Sequence, residues 1–324
     1  MPRIAIPLPH SSDREYAERA IPQYERAVAQ AGGEPVRIPL DEAPENVIKL
    51  IATCDAVLLP GSKADVDPAR FHVLRSPHTA AADVPRNAVD ELLLEDAYRQ
   101  RKPILGICYG LQSLNVFRGG SLIQHIPDFL PEDLRQRVNH EAGKTVAVAH
   151  TVEIASNSKL AEILGKDATP PRVATNASSV WRSEASANSS QMLPAIIGEN
   201  REGHGFTPEP ALSKRSAPKG AEVVARNDRA LAAPEGSLIF PVNSSHHQSA
   251  DANKIGHGLR IVARCPDDAI IEALEGTAPD HFVVAVQWHP ERSVNEDDPS
   301  RAIFRALIEA AEARHKQLAG ENLK

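Results

Sequence analysis

A cysteine between two glycines is where this chain first suggests chemistry. In residues 103–112, PILGICYGLQ, a strand-like run passes through Gly106, Cys108 and Gly110 into a new apolar periodicity. A nucleophile held at a sharp strand-to-helix turn projects from the end of a sheet, where ligands bind in open α/β folds. Such a turn has no room for bulky neighbours, and two glycines meet that demand. The helix that follows aims free N–H groups and the positive end of its dipole at the sulfur, and both favour the thiolate. The N–H of Tyr109 can also point at the oxygen of a tetrahedral intermediate. A buried structural cysteine in a glycine-rich turn is the competing reading of the same residues.

A cysteine nucleophile needs a base, and the base needs an orienting partner. His289 and Glu291, in the stretch QWHPE, supply both types at the end of an apolar run. Residues two apart on extended backbone lie on one side, so the carboxylate can reach the imidazole, fix its tautomer and stabilise its cation. Taken singly, each has an ordinary alternative: a surface histidine at a strand end, and a solvated charge.

These residues require a scaffold. In the first half, strand-like segments (3–9, 34–40, 56–61 and 103–108) alternate with helix-like ones (from Ser12 or Asp13 to about Gln30, 43–54, 88–101 and from Leu111). That rhythm implies a parallel sheet with helices on both faces. Residues 258–265 and 269–276 read as paired strands, 281–291 as a strand ending in the polar cluster, and 299–317 as an amphipathic helix with Ile303, Leu307 and Ile308 on one face. Between about 166 and 234 the chain is rich in Ala, Ser, Asn and Pro with poor periodicity, which reads as an insertion or lid within one domain spanning 1–324.

The chain has 324 residues and a net charge of −7, which argues against a nucleic-acid binder. No run approaches the ~18 apolar residues that span a bilayer, and no signal peptide is read at the start. The three cysteines, Cys54, Cys108 and Cys265, are far apart with no CxxC spacing, so a disulfide framework or zinc site is not expected and a reducing cytoplasm fits best. His246 and His247 are adjacent; on a strand they point to opposite faces and cannot readily grip one ion, so no metal or cofactor is expected.

Taken in order, GICYGLQSLNVFRGGSLIQHI, PVNSSHHQ and VVAVQWHPE resemble the class I glutamine amidotransferase superfamily. More narrowly they resemble its free-standing gamma-glutamyl-gamma-aminobutyrate hydrolase-like branch, peptidase C26, and the stretch LLPGSKADVDP (58–68) is similar to that branch's glycine-rich loop. The resemblance implies a flavodoxin-like, three-layer α/β sandwich around a mostly parallel sheet. It makes Cys108 the nucleophile, His289 the base and acid, and Glu291 its orienter. It implies an oxyanion hole from the N–H groups of Tyr109 and the Gly61–Ser62 turn, and a glutamyl head-group pocket lined by Gln112 and by His246, His247 and Gln248. The branch commonly has Arg where this chain has Tyr109, an Arg-Asp pair where it has Arg86–Asn87, and an aromatic hydroxyl where it has Phe71. Those departures bear on which substrate is used.

The expected activity is hydrolysis of a small-molecule gamma-glutamyl amide through a glutamyl thioester. Two rivals are a glutaminase subunit passing ammonia to a separate synthetase, and a non-catalytic binding protein on the same fold. A homo-oligomer is compatible with each; membrane and nucleic-acid partners are not expected.

Overall fold

Strands buried on both faces set the architecture. In a computed structural model, which describes residues 1–144, 146–165 and 237–321, alternate residues of each central strand feed two separate cores. Ile4, Ile6, Leu58, Leu105, Ile107, Val284 and Val286 pack on one side of the sheet, and Ala5, Val57, Leu59, Ile104 and Ala285 on the other. This two-sided burial is why the strands read as continuous apolar runs rather than as alternating ones.

The first half follows the expected rhythm: β1 (Arg3–Pro7), α1 (Arg14–Gln30), β2 (Glu34–Ile38), α2 (Pro44–Ala52), β3 (Ala56–Leu59), α3 (Val84–Gln100), β4 (Ile104–Ile107) and α4 (Tyr109–Phe117). Asp13 is the cap that starts α1, its Oδ1 accepting from the N–H of Tyr16 at 3.0 Å. Short elements follow: β5 (Leu122–Ile123), α5 (Ile126–Phe129) and α6 (Glu132–Arg135). Then come β6 (His150–Ile154), α7 (Lys159–Gly165), β7 (Leu238–Val242), β8 (Ser249–Ala250), β9 (Leu259–Arg264), β10 (Ile271–Gly276), β11 (Val283–Val286) and α8 (Asp298–Glu321).

Among the described residues, nine strands form the main sheet in the order β2-β1-β3-β4-β11-β10-β9-β6-β7. The run from β2 to β11 is parallel, and the strands beyond it pair antiparallel. Helices α1, α7 and α8 cover one face and α2, α3 and α4 the other, giving the three-layer α/β sandwich. In α8, Ile303, Leu307 and Ile308 are buried as the helical spacing required. The expected insertion at about 166–234 falls on residues outside those described. Among the described residues no helix is long and apolar enough to cross a membrane.

One buried charge ties the sheet end together. Arg86 on α3 is fully buried, paired with Asp90 at 2.7 Å, and donates to the carbonyls of Pro9 at 3.2 Å and Pro60 at 2.8 Å. It therefore joins the loops leaving β1 and β3. Losing either ionic partner would strand a charge away from water.

Candidate active site

Cys108 is the single residue between β4 and α4, and its backbone pays for that position: φ is +53° and ψ −105°. A non-glycine residue there is strained and is held only where its surroundings over-determine it. Its N–H donates to the Val286 carbonyl at 2.8 Å, pinning the turn to β11. A Cβ on Gly110 would stand 2.2 Å from the Leu59 carbonyl oxygen, and one on Gly106 would stand 3.0 Å from the Gly110 backbone. The two glycines thus let the helix start directly against β3 and β4, which answers why they flank the cysteine.

β11 runs parallel beside β4 and carries the chain to Gln287, Trp288 and His289 at the same sheet end. His289 stands beside Cys108, both lining one cavity, and its Nδ1 lies 2.7 Å from Glu291 Oε1. All three are buried. Burial disfavours the His289 cation, but the charges of Glu291 and Cys108 and their hydrogen bonds outweigh it and raise its pKa to about 9. For Glu291 burial opposes ionisation, and the neighbouring imidazolium reverses this and lowers the carboxyl below its ordinary value. The route by which Glu291 reaches the ring differs from expectation. The strand has ended, and Pro290–Arg292 forms a 3-10 turn that swings the carboxylate back. Pro290 at the first position suits that turn.

Three residues not anticipated from the sequence complete this centre. Asn243 clamps the His289 backbone, accepting from its N–H at 2.8 Å and donating to its carbonyl at 2.9 Å. Gln287 Nε2 lies 3.5 Å from Cys108 Sγ. Tyr24 accepts from the Gly61 N–H through its hydroxyl at 3.0 Å. Gln287 had a signal: it lies two residues before His289 at a strand end, the spacing of a shared side. Asn243 and Tyr24 had none.

A cavity of about 570 Å³ opens over Cys108 and His289. Of the expected pocket residues, Ser62, Gln112, His246, His247 and Gln248 line it. Gln112 is buried and donates to the Gln248 carbonyl at 3.1 Å, and His247 Nε2 lies 2.9 Å from Asp65 Oδ1. Two expectations are corrected. The Gly61 N–H is committed to Tyr24, so it is not free for an oxyanion. What Gly61 supplies is space: a Cβ there would stand 3.0 Å from His289 Cε1 and 3.7 Å from Cys108 Cβ. His246 lines the cavity as expected, with its ring nitrogens engaged elsewhere, Nδ1 at the Gln248 carbonyl at 2.9 Å and Nε2 toward Glu272 at 3.4 Å. Residues 246–248 are irregular rather than a strand. As the first residue of α4, Tyr109 has an amide with no intrahelical acceptor.

The departures at Tyr109, Asn87 and Phe71 occur together for a reason. The buried Tyr109 ring faces away from the cavity, its hydroxyl donates to Asn87 Oδ1, and Arg86 lies 4.9 Å over its face. Phe71 packs in the same small cluster. A neutral Tyr–Asn hydrogen bond thus stands behind Cys108 and not in the pocket. Cys54 and Cys265 are buried packing residues whose thiols burial pushes up.

A three-layer α/β sandwich with a strained cysteine at the strand-to-helix turn is the architecture of class I glutamine amidotransferases. A solved GMP synthase component from Thermoplasma acidophilum matches with a TM-score of 0.53 over 98% of both chains at 13% identity, a likeness of fold. The family model for peptidase C26 matches residues 5–177 and 197–291, and the chain belongs to that family. A glutamine amidotransferase-like protein of Rickettsia prowazekii is 28% identical over 89% of this chain and 87% of its own. The gamma-glutamyl-gamma-aminobutyrate hydrolase PuuD of Escherichia coli K12 is 26% identical over 90% and 85%. The chain is accordingly a C–N hydrolase acting on amides.

Proposed function

We propose that this enzyme hydrolyses a gamma-glutamyl amide, with Cys108 as nucleophile, His289 as acid and base, and Glu291 as its orienter. The observation that carries the reading is Cys108 and His289 lining one cavity, with His289 Nδ1 2.7 Å from the Glu291 carboxylate. The thiolate attacks the side-chain amide carbonyl, and the amides of Tyr109 and Ser62 receive the developing oxyanion. The His289 imidazolium gives its proton to the leaving amine as the C–N bond breaks, leaving a glutamyl thioester.

Acylation then changes the histidine. The thioester sulfur carries no charge, so one of the two groups that raise the His289 pKa is gone. The ring that has given up its proton therefore stays neutral and available as a base; it takes a proton from water, which attacks the thioester and releases glutamate and Cys108. One residue thereby serves as acid and then as base.

The cavity wall suits a zwitterionic head group. Arg19, Lys63 and Arg292 offer cations for a carboxylate, and Asp65 and Glu141 offer anions for an ammonium. All three cysteines are free, which fits a reducing cytoplasm. The test is a panel of gamma-glutamyl amides and free glutamine assayed with the enzyme and with Cys108→Ser. Turnover of gamma-glutamyl amines that disappears in Cys108→Ser supports the reading; no turnover of any member, or equal turnover by the variant, overturns it.

A further inference from the structure

Behind the candidate active site, three histidines and a glutamate converge on one point. His140 Nδ1, His150 Nε2 and His246 Nε2 stand 3.2, 3.5 and 3.4 Å from the same oxygen, Glu272 Oε1. All four side chains are buried, and none of these inward-facing atoms has a hydrogen-bond partner. The contacts are close in distance without being aligned as hydrogen bonds. All four donor atoms lie within 4.8 Å of one another.

The outer nitrogen of each ring is engaged. His140 Nε2 meets Asp268 Oδ2 at 2.8 Å, His150 Nδ1 meets the Thr151 carbonyl at 3.0 Å, and His246 Nδ1 meets the Gln248 carbonyl at 2.9 Å. Carbonyls and carboxylates only accept, so each outer nitrogen carries the hydrogen. In a neutral imidazole the inner nitrogen is then a lone pair. Three such lone pairs and a carboxylate oxygen face one another in a buried interior where no described residue donates to them.

We propose that this cluster is a structural divalent-metal site, of the kind zinc occupies, with His140, His150, His246 and Glu272 as its four ligands. Tetrahedral ligands about 2.0–2.1 Å from zinc stand roughly 3.3 Å apart. The three distances to Glu272 Oε1 match that edge. Ligating histidines characteristically donate their other N–H to a carbonyl or carboxylate, which is the arrangement found on all three rings. Three nitrogens and one oxygen, with no exposed position, suit zinc held structurally more than magnesium or calcium, which prefer all-oxygen shells. His247 stands apart from this cluster, its Nε2 2.9 Å from Asp65 Oδ1. What the sequence hid is that His246 finds partners from three other segments.

The site joins parts that the active centre needs fixed. His150 is on β6 and Glu272 on β10. The His140 carbonyl accepts from the His246 N–H at 2.9 Å and from Ser244 Oγ at 2.7 Å. The Gln287 N–H donates to the Glu272 carbonyl at 2.8 Å. A metal here would hold the segment carrying His247 and Gln248, which line the cavity, against the strand beside Gln287.

The experiment reads metal and not turnover, so its outcome is independent of the proposed activity. Wild-type protein is stripped with a chelator and titrated with Zn(II) against a chromophoric competitor, and separately with Co(II) for its visible spectrum. The expected result is one tightly bound ion per chain, a raised melting temperature, and tetrahedral Co(II) bands without thiolate charge transfer. Asp268→Asn should weaken zinc binding about 10- to 100-fold by removing the carboxylate behind His140; Glu272→Gln and His150→Ala should weaken it at least as much. If these variants fold poorly, the wild-type titration decides alone. Failure to bind one zinc, which would mean that protons alone fill the cluster, overturns the proposal. So does binding unchanged by folded variants, or a thiolate band that alkylation of Cys108 abolishes.

Discussion

Replacing Glu291 with Gln separates its charge from its shape. The amide oxygen can still accept from His289 Nδ1–H, so the ring keeps its orientation while the anion is lost. In the native enzyme His289 is raised from 6.5 to about 9 against the opposing effect of burial, with Glu291 the largest favourable contributor. A displacement of that size is roughly 3 kcal/mol of preference for the imidazolium. Removing the Glu291 charge should cost about 1.5–3 kcal/mol, or roughly 10- to 100-fold in acylation. The sign is fixed by the direction of the shift. A raised pKa keeps the proton on the ring until pH passes about 9; without Glu291, burial prevails and the proton leaves at lower pH. Rapid-quench measurement of amine release across pH should show a smaller burst whose alkaline limb has moved down. Iodoacetamide should also alkylate Cys108 more slowly near neutral pH, because the thiolate has lost its stabilised counter-ion. An unchanged burst with an unmoved alkaline limb would refute the assignment of Glu291 as the group that holds His289 charged.

Other outcomes follow from single contacts. Gly110→Ala places a Cβ 2.2 Å from the Leu59 carbonyl, and a backbone neighbour cannot yield, so urea denaturation should show a loss of about 1–3 kcal/mol or more; a native midpoint would contradict the elbow packing. Tyr109→Phe leaves Asn87 Oδ1 buried without its donor and should cost about 1–3 kcal/mol of stability. Because the ring faces away from the cavity, KM should hold, and a large KM change would show that it reaches substrate. Asn243→Ala removes both bonds to the His289 backbone; kcat should fall about tenfold or more, the scale expected of lost positioning, with KM little altered, and an unchanged kcat would show that the clamp is dispensable.

What the sequence revealed was what local physics encodes. Two-sided burial made the strands continuous apolar runs, Asp13 announced a helix start, and the Gly106–Cys108–Gly110 spacing announced a turn too tight for other side chains. His289 and Glu291 were paired correctly but through the wrong backbone, because Pro290 begins a 3-10 turn where extended chain was assumed. The same assumption made residues 246–248 a strand, and they are irregular. The contacts of the Gly61 amide with Tyr24 and of His289 with Asn243 span 37 and 46 positions. The partners of His246, at positions 140, 150 and 272, lie between 26 and 106 positions from it. No periodicity links such residues; only the folded sheet brings them together.

The account depends on a covalent step at one sulfur. Enzyme mixed with a gamma-glutamyl amide, quenched in acid and mapped by mass spectrometry should carry a glutamyl group on the peptide containing Cys108, an adduct absent from Cys108→Ser digested in parallel. Turnover with no acyl group on Cys108 at any quench time, together with activity retained in Cys108→Ala, would contradict it.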